Sequence, residues 1–191
     1  MKKVLIFGAV KHVIKKAKEL GYETIVIDQN PNIACIKQAD KFKNISFEAY
    51  EECLQYAREE HVDGVVTATE FAVLTASYVA NKMNLPGLDF EVAKLVKSKY
   101  EIRKKMQEKD IINVPQFYEV SKIEELYEIK DKIKFPIILK PCSGLGSLYV
   151  YKIDDFETLM QKIQEVINGS FNGRALIETF IEGQEYGIES F

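Results

Sequence analysis

The stretch KPCSGLGSLYV, Lys140 to Val150, places a lysine, a proline and a loop of two glycines flanked by serines directly after the apolar run Phe135-Pro136-Ile137-Ile138-Leu139. Glycine leaves the backbone bare, so N–H groups around Gly144 and Gly146 can close on an anion. Lys140 stands where the apolar run meets that loop. Its stem would be buried and its ammonium left free, an arrangement that attracts phosphate. A strand-end lysine more often only snorkels to water, and it is the adjacent glycines that tip the reading toward an anion. A Walker-type loop, whose glycines lead into a helix, requires G-x-x-x-x-G-K-[ST], and that pattern does not occur. The anion would instead lie beneath a hairpin flap.

A second arrangement sits near the start of the chain. Gly8 follows one apolar run and Asp28 the next, as in a dinucleotide-binding βαβ unit. A G-x-G-x-x-G fingerprint begun at Gly8 would put Val10 and Val13 at the other glycine positions, where their side chains obstruct a pyrophosphate. A nicotinamide-dependent Rossmann enzyme is therefore the weaker alternative. Thr67-Ala68-Thr69-Glu70 falls at the carboxyl end of a predicted parallel strand, where open α/β sheets bind ligands. Glu70 facing a substrate, and Glu70 as a dipole-favoured residue behind an N-capping Thr69, explain that stretch equally well. His12 and His61 are the only histidines, and no Ser or Cys has an evident base, so no nucleophilic constellation is found. No catalytic residue and no metal ligand is assigned.

The elements that must position these residues come in two textures. In the first half, the apolar runs Val4–Phe7, Thr24–Ile27 and Val62–Thr67 alternate with helical patterns near Lys11–Leu20, Phe47–Glu60 and Glu70–Met83. That alternation predicts a parallel sheet with crossover helices. Gly21 sits where a helix C-cap tolerates positive φ, and Asp28-Gln29-Asn30-Pro31 is turn chemistry. Beyond a helical stretch at Phe90–Val96, the expected elements are a basic helix over Ser98–Lys109, a strand over Gln116–Val120, a helix over Ser121–Ile133 and a strand over Pro136–Lys140. Leu148–Tyr151 reads as a further strand, so the glycine loop would be a short turn between two strands. The expected domains are residues 1–95 and 96–191.

Composition narrows the function classes. The chain has 191 residues, 47% hydrophobic and 29% charged, which is globular material for one large or two small domains. A formal charge of -3 argues against a nucleic-acid surface, which needs concentrated Lys and Arg. Cys35, Cys53 and Cys142 are odd in number and far apart, fitting neither a disulfide framework nor a zinc spacing. The chain opens straight into a strand-like run and has no apolar stretch near the roughly 18 residues of a membrane span, so a cytoplasmic location is expected.

Four segments in order carry a resemblance: the opening βαβ unit ending in DQNP (Asp28–Pro31), SKYEIRKKM (Ser98–Met106), FPIILKPCSGLGSLYV (Phe135–Val150) and ALIETFIEGQEYGIE (Ala175–Glu189). Together they resemble the ATP-grasp ligases, in particular the branch similar to the large subunit of carbamoyl-phosphate synthetase. The resemblance implies an α/β fold: a Rossmann-like, parallel-sheet pre-ATP-grasp domain followed by part of an α+β ATP-grasp domain. It implies that Lys99 and Lys140 contact ATP phosphates, that the loop with Ser143, Gly144, Gly146 and Ser147 closes over them, that Glu178 and the backbone around Phe180 read adenine, and that Glu185 holds the ribose. Such assignments suit the ligand, since adenine wants apolar faces with a donor and an acceptor, and ribose a carboxylate. Lys99 otherwise reads as one lysine of a solvated basic helix.

The activity implied is ATP-dependent ligation of a carboxylate to an amine or ammonia through an acyl phosphate, with Mg2+. Partners would be ATP and those small molecules, with a homodimer left open and neither nucleic acid nor membrane. The family's magnesium-binding carboxylates fall beyond the adenine-reading segment, so the chain reads as part of a longer protein or a natural half-protein, with its metal ligands past Phe191. A non-catalytic nucleotide-binding or subunit-interaction module is the alternative.

Overall fold

The first strand, β1 (Lys3–Phe7), sends Leu5 and Phe7 to one side and Ile6 to the other, and all three are fully buried. Burial on both faces is what a parallel strand covered by helices requires. The computed structural model describes residues 1–111, 113–144, 146–184 and 186–187. It divides into two units, Met1–Leu95 and Val96–Phe191.

In the first unit β1 is joined by β2 (Glu23–Asp28), β3 (Lys41–Asn44) and β4 (Gly64–Thr67) in the order β3-β2-β1-β4, with every pairing parallel. Helix α1 (Lys11–Glu19) packs Ile14 and Ala17 on Ile6 and Val26. Helices α2 (Tyr50–Glu59) and α3 (Val73–Lys82) use Cys53, Leu54, Ala57, Ala76 and Val79 to cover Leu5, Phe7, Ile25 and Ile27. Short 3-10 turns occupy Ala34–Gln38 and Glu70–Ala72. Helix α4 (Phe90–Lys97) sets the Phe90 ring against Tyr50 and Tyr78 at 6.1 and 5.3 Å. Because β1 is flanked by β2 on one side and β4 on the other, the chain's direction of travel across the sheet reverses there. The carboxyl ends of β1 and β4 carry Gly8, at φ +86°, and Thr67–Glu70.

The second unit contains α5 (Lys99–Glu108), β5 (Phe117–Val120), α6 (Glu125–Ile129), β6 (Ile137–Pro141), β7 (Tyr151–Ile153), α7 (Phe156–Gly169) and β8 (Ala175–Thr179). The strands form an antiparallel sheet in the order β5-β8-β6-β7. Ile137, Leu139, Ile153, Ala175 and Ile177 face α7, whose Leu159, Ile163 and Val166 are fully buried, and Leu126 of α6 joins this core. Period-two alternation then sends Lys140 of β6 and Leu176 and Glu178 of β8 to the opposite face. The two-layer α+β arrangement and the parallel Rossmann-like sheet are both as expected from the sequence.

Several expectations are corrected. Leu148–Val150 is not strand: Ser147 and Tyr149 have φ of +54° and +58°, which no β ladder accommodates, and β7 starts at Tyr151. The glycine loop is therefore a long connection from Cys142 to Val150 rather than a short turn. The helix expected over Ser121–Ile133 is only α6 and a 3-10 turn at Lys130–Lys132. The helix expected from Glu70 starts at Val73, behind a 3-10 turn. Strand β3 and helix α7 lie outside the sequence-based expectation. Among the described residues no helix is long and apolar enough to cross a membrane.

Candidate functional site

Lys99 and Lys140 come together, although 41 positions apart, because two elements end at the same loop. Ser98 caps α5 by accepting the Glu101 N–H at 3.3 Å, which fixes Lys99 in the first turn. The Lys99 N–H donates to the Cys142 carbonyl at 3.0 Å and its ammonium to the Gly144 carbonyl at 3.3 Å. Lys140 reaches the same place from β6. The two side chains, with Pro141, line a cavity of about 300 Å³ whose other walls are Gly144, Gly146, Ser147, Leu148 and Val150. Burial and the neighbouring Lys140 ammonium hold the Lys99 ammonium below the ordinary lysine range. Two cations forced together beside bare backbone make a place where an anion relieves repulsion.

The loop is anchored at the far end of α7. The Ser143 carbonyl accepts the Phe171 N–H at 2.9 Å and the Ser170 hydroxyl at 3.2 Å, and the Ser143 N–H lies 3.4 Å from the Ser170 oxygen. Ser143 thus serves as a tether, and the cavity is lined from Gly144 onward. Tyr149 lays its ring on Gly169, the last residue of α7. Leu148 is 63% exposed at the cavity's edge.

Glu178 is not the exposed strand carboxylate that its residue type suggests. It is 4% exposed and pairs with both the Lys140 ammonium and Arg103, whose Nε donates to Oε1 at 2.5 Å. The register explains the first pair: Lys140 faces Leu176 across the β6–β8 ladder, so Glu178, two residues on, is its diagonal neighbour on the same face. The second comes from α5, where Arg103 follows Lys99 by four residues and so shares its helical face. Sequence reasoning left Arg103 in a solvated basic run; the spacing from Lys99 was the signal that could have found it.

The remaining expected positions are placed as follows. Phe180 donates its N–H to the Pro136 carbonyl at 3.0 Å, and its ring lies 4.2 Å from the Lys152 ammonium. Glu185 lies outside the described residues. Glu70 belongs to the first unit, where it opens the 3-10 turn after β4. There the Thr69 side chain makes no cap, and the Thr67 hydroxyl accepts the Thr69 N–H at 3.1 Å instead. Asp28 is buried, with its carboxylate accepting from the N–H groups of Ala9 and Asn30 at 2.7 and 2.8 Å, so it ties the turn after β1 to the turn after β2. A Cβ on Gly8 would come 2.5 Å from the Thr69 methyl.

Two family descriptions match the chain: the ATP-grasp N-terminal domain over residues 14–87 and the ATP-grasp domain over residues 133–191. The chain belongs to the ATP-grasp family. The carbamoyl phosphate synthase large chain of Clostridium acetobutylicum is 25% identical over 94% of this chain, which spans 17% of that relative. Phosphoribosylglycinamide synthetase from Anaerococcus prevotii is 26% identical and superposes with a TM-score of 0.66 over 95% of this chain and 46% of its own. The biotin carboxylase domain dimer of Hydrogenobacter thermophilus 2-oxoglutarate carboxylase, solved with MgADP, ADP and bicarbonate, shares the fold at a TM-score of 0.73 and 21% identity, over 95% and 44% of the two chains. This ATP-grasp chain thus spans about half the length of the solved structures it matches and a smaller part of the synthase.

Proposed function

We propose that this chain binds ATP and supplies the phosphate-holding part of a ligase that joins a carboxylate to an amine or ammonia. The observation that carries the reading is the convergence of Lys99 and Lys140 on a cavity walled by Gly144, Gly146 and Ser147. The ADP held by the Hydrogenobacter neighbour supports the choice of nucleotide. In the reaction proposed, a carboxylate oxygen attacks the γ-phosphorus and ADP leaves. The amine then attacks the acyl phosphate and inorganic phosphate leaves. The two lysines would bind and orient the phosphate oxygens and meet the charge that develops on them.

The amino group of adenine would be read by acceptors. A carboxylate offers about four lone-pair sites, so Glu178 keeps capacity beyond its two cations, and Phe180, whose N–H is committed, would offer its carbonyl. The Glu185 contact to ribose remains part of the proposal, as does Glu70 meeting the substrate from the end of β4. Magnesium would supply charge neutralisation at the phosphates. Among the described residues no three His, Cys, Asp or Glu side chains stand together so as to hold a metal ion, and no step is drawn through it.

Calorimetric titration with ATP and with adenosine tests the reading. Lys140→Ala should weaken ATP binding about ten- to a hundredfold, the range of one charge-assisted hydrogen bond, and adenosine binding much less. Equal weakening of both would show that Lys140 serves the fold and not the phosphates.

A further inference from the structure

Glu178 is almost wholly buried between two cations that come from different elements, Lys140 at the end of β6 and Arg103 on α5. Only one of these cations, Lys140, lines the cavity. A polyphosphate entering there would draw the Lys140 ammonium toward itself. If Lys140 were the sole partner of Glu178, that movement would strand a buried carboxylate, which is strongly unfavourable. Arg103 removes the conflict, since its Nε already donates to Oε1 at 2.5 Å while Lys140 takes the other oxygen, Oε2.

We propose that Arg103 is a positioning residue for the phosphate site: it keeps Glu178 paired so that Lys140 can turn from that carboxylate to the phosphates. The inference rests on the nucleotide reading above and adds an exchange of ion-pair partners on binding. Lys99 does not fill this role, because its ammonium donates to the Gly144 carbonyl, while Arg103 and Lys140 are the cations paired with Glu178. Arginine also suits the position chemically, being always charged and planar, so that it holds a carboxylate in one geometry.

The test uses inorganic tripolyphosphate, which has no base to read, titrated into the full chain. Arg103→Met should weaken its binding by about tenfold or more, equivalent to about 1.4 kcal/mol. Arg103→Lys, which keeps the charge, should recover most of that loss. In a Glu178→Gln background, where no charge can be stranded, Arg103→Met should change affinity by less than about twofold. Glu178→Gln alone should bind tripolyphosphate more tightly, since it releases Lys140, and this arm stands even if Arg103→Met does not fold. An equal loss in both backgrounds would assign Arg103 a general field effect and overturn the exchange, as would weaker binding by Glu178→Gln. Failure of the unaltered chain to bind either tripolyphosphate or ATP would overturn the nucleotide reading and this inference with it.

Discussion

Gly169 ends α7 beneath the ring of Tyr149, and a methyl group built on it would fall inside van der Waals contact of three ring carbons. A glycine near a helix end normally gains up to about 1 kcal/mol on replacement by alanine. Here the sign should invert: Gly169→Ala must push the ring away and loosen the loop it pins. Tyr149 itself sits at φ +58°, which costs a side-chain-bearing residue about 1–2 kcal/mol and glycine nothing. In a Tyr149→Gly background, therefore, Gly169→Ala should become stabilising. Urea midpoints of the two single variants and the double variant decide it, and a Gly169→Ala change of the same sign in both backgrounds would remove the ring from the explanation. At this scale the sequence was legible wherever local spacing carries the chemistry. Lys140 and the glycines announce themselves within eleven residues. The burial of Glu178 could not be read, because its partners stand 38 and 75 positions away and are set by strand register and helix phase.

Strand β3 shows why elements are harder to read than residues. Its sequence, KFKN, has one apolar residue and lies at the sheet edge, so neither periodicity nor hydrophobicity marks it. What fixes it is a reciprocal pair just before it: Asp40 accepts from the N–H and hydroxyl of Thr24 at 2.9 and 2.8 Å, and Thr24 Oγ1 accepts the Asp40 N–H at 3.1 Å. The Lys18 ammonium adds an ion pair at 2.7 Å, and with the Thr24 bonds it holds the Asp40 carboxyl at about 2, below its ordinary 3.8. A depressed carboxyl stabilises the fold at pH above its ordinary value, and that contribution disappears as pH falls from about 4 through about 2. Asp40→Asn should therefore lower stability at neutral pH and flatten the acid limb of the first unit's stability curve in that window. Solvent reaches 40% of the Asp40 side chain, so the ion pair's share should be on the order of 1 kcal/mol or less. An unchanged acid limb would mean that the pair contributes nothing. Helix α7 is the opposite case. Phe156, Leu159, Met160, Ile163, Val166 and Ile167 recur at helical spacing behind a capping Asp155, so the signal was in the sequence and needed only a longer window. The hairpin itself is present, since β6 and β7 pair antiparallel; its second strand was placed too early because alternation of Leu148 to Tyr151 mimics a strand while Ser147 and Tyr149 take a left-handed backbone.

Across the whole molecule, each unit owns its core. The parallel sheet is sealed by Leu5, Phe7, Ile25 and Ile27 against α2 and α3, and the antiparallel sheet by Leu139, Ile153 and Ile177 against α7. The parallel sheet was readable from the alternation of apolar runs and helical patterns in the first half, but connection lengths do not mark the antiparallel one, because helices also separate β5 from β6 and β7 from β8. The cavity proposed to hold phosphate draws every described residue that lines it from the second unit. Stability and ligand binding should therefore be separable by where a cavity is opened. Leu54→Ala and Leu159→Ala remove fully or nearly fully buried leucines, each costing about 2–5 kcal/mol. Leu54→Ala should lower the unfolding of the first unit and leave the affinity for tripolyphosphate near its original value. Leu159→Ala sits in the layer that supports β6, β8 and the anchor of the glycine loop, so it should lower the second unit's transition and weaken the anion. Saturating tripolyphosphate should in turn raise the second unit's transition, because a ligand that binds only the folded form stabilises it in proportion to the logarithm of its concentration over Kd. Scanning calorimetry of both variants, with and without ligand, checks all of this at once. If Leu54→Ala weakened the anion as much as Leu159→Ala, binding would have to depend on the first unit's core, and the assignment of the site to the second unit alone would fall.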